Sequence, residues 1–239
     1  MVEHSRADAR SGRRAGPHEG RHHLRGLFDR VRAGPTGDRH DPYRLRDTFR
    51  PRWRRTCVQS RAALEILKET VPRATRFGVL WSPTAASYRP VLEAAEAASG
   101  KLGVQLLTVG VSTVADYDGA FAKMAQGRVD AVFVHSSTLT ARHNPRLLAE
   151  LALKRRLPTM FGSRANVVAG GLMSYAPDHS DLWRRAAVYI DRILKGAKPA
   201  ELPVEQASKY LLIINLKTAG VLGLTIPRSV LTRADEVIE

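Results

Sequence analysis

One cysteine, Cys57, in 239 residues leaves no internal disulfide and no thiolate metal cluster. Long hydrophobic runs are also missing. Stretches such as Val129 to Val134 and Leu211 to Ile214 break within a few residues, far short of the roughly 20 needed to cross a bilayer. Lysine is absent from residues 1–60, which hold 15 Arg and 7 Asp or Glu. No export signal is readable there, because the segment is charged throughout and has no apolar stretch leading to a small-residue cleavage site. Catalytic signatures are lacking too: there is no G-x-S-x-G elbow, no G-x-x-x-x-G-K-[ST] phosphate loop and no G-x-G-x-x-G after a strand. No cofactor and no enzyme activity are expected.

What is present divides unevenly. The net charge is +15, of which +8 lies in residues 1–60 and +7 in the other 179. The first segment, rich in Arg, His, Gly and Pro, could not bury enough apolar surface to offset the entropy of ordering it, so it reads as disordered. Arg without Lys is the bias expected when a GC-rich gene is translated out of frame, which makes a frameshift or false start the leading explanation. The alternative is a genuine basic arm contacting nucleic-acid phosphates, with Arg52, Arg54 and Arg55 around the stacking face of Trp53. His18, Glu19 and His22 spell H-E-x-x-H, but Gly20 lies inside the motif and no apolar stripe anchors a helix there, so no zinc site is expected.

Residues 61–239 read as one α/β domain. Leu64, Ile66, Leu67 and Val71 have helical spacing, and Pro72 stops that helix. Strands are expected at Arg76–Trp81, Val104–Val111, Val129–Val134 and Leu157–Phe161, starting every 25 to 28 residues. That is the length of a strand plus a crossover helix, so the sheet should be parallel with helices on both faces. Helices are expected at about 88–102, 115–126 and 144–155, the second capped by Ser112 or Thr113 with Asp116 following. A fifth strand follows, Leu172–Tyr175, then a long helix from Ser180 to Lys195, an extended run at 210–214 and a short helix at 217–222.

Ligands of such sheets gather outside the carboxyl ends of the strands. The candidates by position are Ser82 and Thr84, then Ser136, Ser137 and Thr138, then Phe161, Gly162 and Ser163, and last Ser174 and Tyr175. Hydroxyls, amides and aromatics suit orientation of a polar small molecule better than proton transfer. The competing reading makes these Ser and Thr side chains helix caps. His135, Ser136, Ser137 and Asp130 are triad ingredients for a hydrolase, though neighbours in sequence seldom have triad geometry. His143 and His179 read as surface or capping residues, and Trp183 as a core or hinge-facing anchor.

A series of segments in order resembles a known family. They are Leu64-Glu65-Ile66-Leu67-Lys68-Glu69 with Val71-Pro72, Val79-Leu80-Trp81-Ser82-Pro83, Gly170-Gly171-Leu172-Met173-Ser174-Tyr175 and Tyr189-Ile190-Asp191-Arg192-Ile193-Leu194-Lys195-Gly196. Further on come Leu202-Pro203-Val204-Glu205-Gln206, Ile214-Asn215-Leu216-Lys217-Thr218-Ala219, Leu222-Gly223-Leu224-Thr225-Ile226-Pro227 and Arg233-Ala234-Asp235. Together they closely resemble the ABC transporter substrate-binding protein family, in the branch related to the tryptophan- and tyrosine-binding proteins. The resemblance implies a type I periplasmic binding fold, in which two α/β lobes close on a solute and deliver it to a membrane permease. It implies a periplasmic or lipid-anchored location for intact members.

Only the carboxy-terminal lobe is recognisable here, with the Arg-rich segment standing where the first lobe should be. Carried over by position, the ligand-facing residues are Ser82, Thr84, Ser137, Thr138, Gly162, Ser163, Ser174 and Tyr175. Ser137 and Ser174 stand where aromatic amino-acid binders place an Asp or Asn, so an amino-acid ligand does not follow. No metal ligand is implied.

Overall fold

The computed structural model describes residues 52–239 apart from 143, 204 and 206, with side chains from Gln59 onward. The H-E-x-x-H run, His143 and most of the basic segment lie outside the described residues, as do the side chains of Arg52 to Arg55.

The first described helix, α1 (Arg52–Thr70), begins ten residues upstream of Ala62. Residues 52–60, read above as part of the disordered segment, are therefore helical. Weak apolar periodicity before Ala63 hid them. Ala63, Leu64, Ile66 and Leu67 are buried, and each of the larger three contributes about 1.5–3 kcal/mol by leaving water. The helix ends before Pro72, and Lys68 Nζ donates to the carbonyls of Pro72 (2.9 Å) and Ala74 (2.7 Å), a cation placed where the helix dipole is negative.

Strands β1 (Arg76–Trp81), β2 (Gln105–Gly110), β3 (Ala131–Val134), β4 (Thr159–Phe161) and β5 (Met173–Pro177) alternate with helices. Between β1 and β2 comes α2 (Tyr88–Leu102), and before β3 comes α3 (Asp116–Gln126). Then follow α4 (Thr138–Arg142), α5 (Pro145–Lys154) and, before β5, α6 (Arg164–Val168). Helix α2 ends at Gly103, whose φ of +65° is left-handed and costs glycine least. Beyond β5 the chain forms α7 (His179–Leu194), β6 (Tyr210–Asn215), α8 (Leu216–Leu222), α9 (Arg228–Leu231) and β7 (Glu236–Ile238). The short helices α4, α6 and α9 and strand β7 carry too few periodic residues to be read from sequence.

The sheet order is β2-β1-β3-β4-β5-β6-β7. β1 to β5 run parallel, as the repeat spacing predicts. β6, the extended run at 210–214 whose pairing the sequence did not give, is antiparallel to β5, with Pro177 opposite Tyr210. The chain leaves β5 into α7 and re-enters at the end it left, and the Asp178 amide donates to the Lys209 carbonyl at 3.0 Å to close the connection. Helices α1 and α2 cover one face, over Phe77, Val79, Phe133 and Met160. The other face packs Tyr117, Phe121, Met124 and Leu148 of α3 and α5 onto Leu80, Val132 and Phe161. Both faces are thus dry, as a parallel sheet requires.

Asp130 fastens the amino ends of β1 and β3. Its carboxylate accepts from the amides of Thr75 (2.7 Å) and Arg76 (2.9 Å) and from Thr75 Oγ1 (3.2 Å). Burial alone would raise its pKa, but those bonds and the Arg76 charge together hold it below the ordinary value. Its contribution is present above the unfolded carboxyl's pKa and is lost as pH falls through the lower folded one. Asp130→Asn is expected to cost about 1 kcal/mol at pH 7, discounted for solvent exposure. Urea denaturation at pH 7 and pH 3 should show that difference shrinking in acid.

Candidate functional site

The carboxyl ends of β3, β4 and β5 frame a cavity of about 220 Å³. His135 and Ser136 follow β3, Gly162 follows β4, and Pro177 and His179 leave β5 for α7. From the helix side come Gln59 and Ser60 of α1 and Ser87 just before α2, with Phe133 as an apolar wall. The Gln59 side-chain amide donates to the Tyr175 carbonyl at 2.9 Å, which ties α1 to β5.

His135 is the chemically unusual member. It is 5% exposed, its Nε2 lies 3.2 Å from Ser87 Oγ, and its Nδ1 has no hydrogen-bond partner. Burial pushes its pKa down to about 4, because an imidazolium would lose its hydration. A histidine that is neutral when folded and titrates normally when unfolded makes stability fall as pH drops from about 6.5 toward 4. Between pH 7 and pH 5 the loss should be about 2 kcal/mol, and His135→Gln should flatten it. Chemical denaturation at the two pH values checks this.

Ser87 precedes α2 but makes no side-chain cap bond to it; its hydroxyl is turned to His135 instead. Gly162 permits a close approach: a Cβ there would lie 2.7 Å from Ser136 Cβ and 2.8 Å from the Ser136 nitrogen.

Of the strand-end candidates expected from sequence, Ser136 and Gly162 line this cavity, and of the residues carried over from the family resemblance only Gly162 does. Ser82 is buried and pairs with exposed Thr84 at 2.8 Å between hydroxyls. Ser137 Oγ accepts from the Thr140 amide (3.2 Å) in the first turn of α4, where exposed Thr138 also sits. Ser163 caps α6 through the Ala165 amide (3.3 Å). Tyr175 stacks on Tyr210 with ring centroids 5.4 Å apart. Ser174 is fully buried with an unpartnered hydroxyl, and its neighbours Met173 and Tyr175 belong to the α1 face. Its own side chain, by the alternation of a strand, is directed to the opposite face.

Capping therefore accounts for Ser137 and Ser163. In α3 the roles reverse: Asp116 reaches back to the amides of Ser112 and Thr113, both at 2.8 Å. Gln59, Ser60 and Ser87 gave no sequence signal, since the first two lie in α1 and Ser87 in the turn before α2, and only packing brings them to the strand ends. His179 was read as a capping or surface residue; Asp178 does the capping, and His179 is exposed at the cavity.

The triad reading is excluded by topology. Asp130 is bonded to Thr75 and Arg76 at the amino ends of the strands, whereas His135 lies at the carboxyl end of β3.

A larger concavity, about 530 Å³, runs along α7 and is lined by Leu182, Ala186, Tyr189, Ile190 and Ile193 together with the 199–205 loop. It touches no strand end. Helix α7 is well capped, yet none of its residues is buried. Trp183 is 72% exposed and Leu194 82%, so Trp183 is not a core residue of this domain.

A family model described as ABC transporter substrate binding protein matches residues 57–238. The chain belongs to that family, a solute-binding and non-enzymatic one, and the hydrolase alternative at Ser136 and Ser137 falls with it. No curated protein sequence matches the chain. Among solved structures, the ABC domain in complex with L-Trp from Streptococcus pneumoniae is 30% identical with a TM-score of 0.69, covering 75% of this chain and 60% of that one. A conserved domain protein from Vibrio cholerae is 25% identical with a TM-score of 0.69, covering 74% and 60%. The ligand-free, open substrate binding protein with adhesive properties from Clostridium difficile shares the fold at 20% identity and a TM-score of 0.56, covering 74% and 58%. The chain thus spans about 60% of the length of the first two relatives.

Proposed function

We propose that the described residues form the carboxy-terminal lobe of a two-lobed receptor that clamps a small organic solute and delivers it to an ABC permease for import. The observation that carries this is α7: a well-formed helix with an apolar stripe and no buried residue. Large contiguous apolar surface on a soluble domain marks an interaction face. The 40% of the two relatives' length that this chain does not span supports a first lobe as its cover. The strand-end cavity, lined by Ser60, Ser87, Ser136 and Gln59 with the apolar Phe133 and Pro177, supports a half-cleft that orients rather than transforms its ligand. A frameshift or false start upstream accounts for the Arg-rich segment on this reading.

The test is thermal denaturation of the chain against a library of amino acids, organic acids, sugars and amines at millimolar concentration. A half-cleft should give at least one saturable stabilisation, lost in Gly162→Val. No stabilisation by any class would remove the solute-binding reading for this chain.

A further inference from the structure

The amino ends of the parallel strands carry a charge pattern that solute binding does not use. In the order β2-β1-β3-β4 the connections entering these strands, residues 103–104, 71–75, 127–130 and 155–158, stand side by side at one end of the sheet. Arg73, Arg128 and Arg156 lie in those connections, and Lys101, Lys123 and Lys154 lie in the last turns of α2, α3 and α5 just before them. All six side chains are exposed. Among the described residues none of them forms an ion pair. Asp130 is the one acid in the four connections, and the amides of Thr75 and Arg76 already occupy its carboxylate.

The helix dipole accounts for the lysines, since cations are favoured at helix carboxyl ends. It does not account for the backbone at the arginines. Arg128 and Arg156 have φ of +51° and +52°, in the left-handed position after a helix that glycine holds with least strain. The third described residue other than glycine with a positive φ is Asn144, a type that tolerates the region. A long cation kept at both strained places, on adjacent connections, points to a use for the charge outside the chain.

Shape selects the partner. The four connections are short, none contains an aromatic ring on which a base could stack, and no helix or ribbon stands out from them to enter a duplex groove. None of the large exposed apolar side chains belongs to them, so the face lacks the apolar centre of a protein–protein interface. Resting on the receptor reading, which puts a membrane permease within reach, we propose that this end of the domain lies against an anionic phospholipid surface. A diffuse positive face needs only a diffuse negative one, and each cation near such a surface adds to the attraction. The strand-end cavity, at the other end of the sheet, is then open to solution, in the collecting rather than the delivering orientation.

The test uses the isotopically labelled full chain with phosphatidylcholine vesicles that contain about 30% phosphatidylglycerol and a trace of gadolinium-chelating lipid. Vesicles without phosphatidylglycerol are the neutral control. The amides of Gly103, Arg128 and Arg156 should broaden first with the anionic vesicles, while those of Gln59, Ser136 and Gly162 keep their intensity. Arg128→Gly with Arg156→Gly should need about tenfold more lipid for the same broadening at Gly103. It should melt no lower than the parent, because glycine relieves both left-handed positions. Undiminished broadening in that variant, a melting point well below the parent's, or equal broadening by neutral vesicles would each overturn the proposal. Broadening confined to Gln59, Ser136 and Gly162 would mean that the Arg-rich segment meets the lipid instead, and a short DNA duplex that binds at the Arg128 and Arg156 amides more tightly than the vesicles would make the partner a nucleic acid; either result overturns it too. If a solute from the library stabilises the chain and this face ignores the vesicles, only this inference fails. If no solute stabilises it while the face binds lipid, the receptor reading falls and the lipid face stands.

Discussion

Valine in place of Gly162 is expected to cost about 3 kcal/mol of stability and to abolish binding in the strand-end cavity. The first Cβ alone would lie 2.7 Å from Ser136 Cβ and 2.8 Å from its nitrogen, closer than real contacts allow. The contact is partly with backbone, so no rotamer change relieves it. The Gly162 amide donates to the Val134 carbonyl at 3.0 Å, which holds the two loops together. Either that bond breaks or β3 and β4 part at their carboxyl ends, and such overpacking costs about 1–3 kcal/mol, more when backbone must move. For a domain of this size the midpoint of thermal unfolding should drop by roughly 6–12 °C. Calorimetry gives the drop, and a variant that melts with the parent would show that the loops yield freely.

The second large effect concerns association. With Trp183, Ile190 and Leu194 exposed at 72%, 58% and 82%, the chain produced alone should bind an apolar dye and self-associate at tens of micromolar. Ile190→Glu with Leu194→Glu should suppress both. Neither side chain is buried in this domain, so the double variant should unfold within about 0.5 kcal/mol of the parent. Sedimentation at several concentrations decides the matter. A parent that is monomeric throughout and dark to the dye would mean that α7 needs no cover.

Much of the fold was legible because β1 and its neighbours are short, largely apolar strands bounded by turn residues, and the starts of the first four recur at nearly constant intervals. Arg76–Trp81 and Tyr88–Leu102 are found where periodicity puts them. The direction of β6 was not legible, since strand pairing depends on where a connection of more than 30 residues returns, and no local pattern records that. The site was less legible still. Strand-end position led to Ser137 and Ser163, whose hydroxyls are used locally as caps. The cavity is built instead from Gln59, Ser87 and His135, which only tertiary packing brings together. The start of α1 was missed for the same reason: its early turns carry little apolar periodicity, and the family match begins at Cys57, inside a stretch that composition alone assigned to the basic segment.

The claim that this is one lobe of a two-lobed receptor is tested most directly by resequencing the gene and translating all three frames upstream of the codon for Cys57. The account predicts that another frame encodes an export signal and a first α/β lobe running into α1. Frames closed by stop codons throughout that region would contradict it. The Arg-rich segment would then be the true neighbour of this lobe, and its salt-dependent binding to nucleic acid would become the reading to measure.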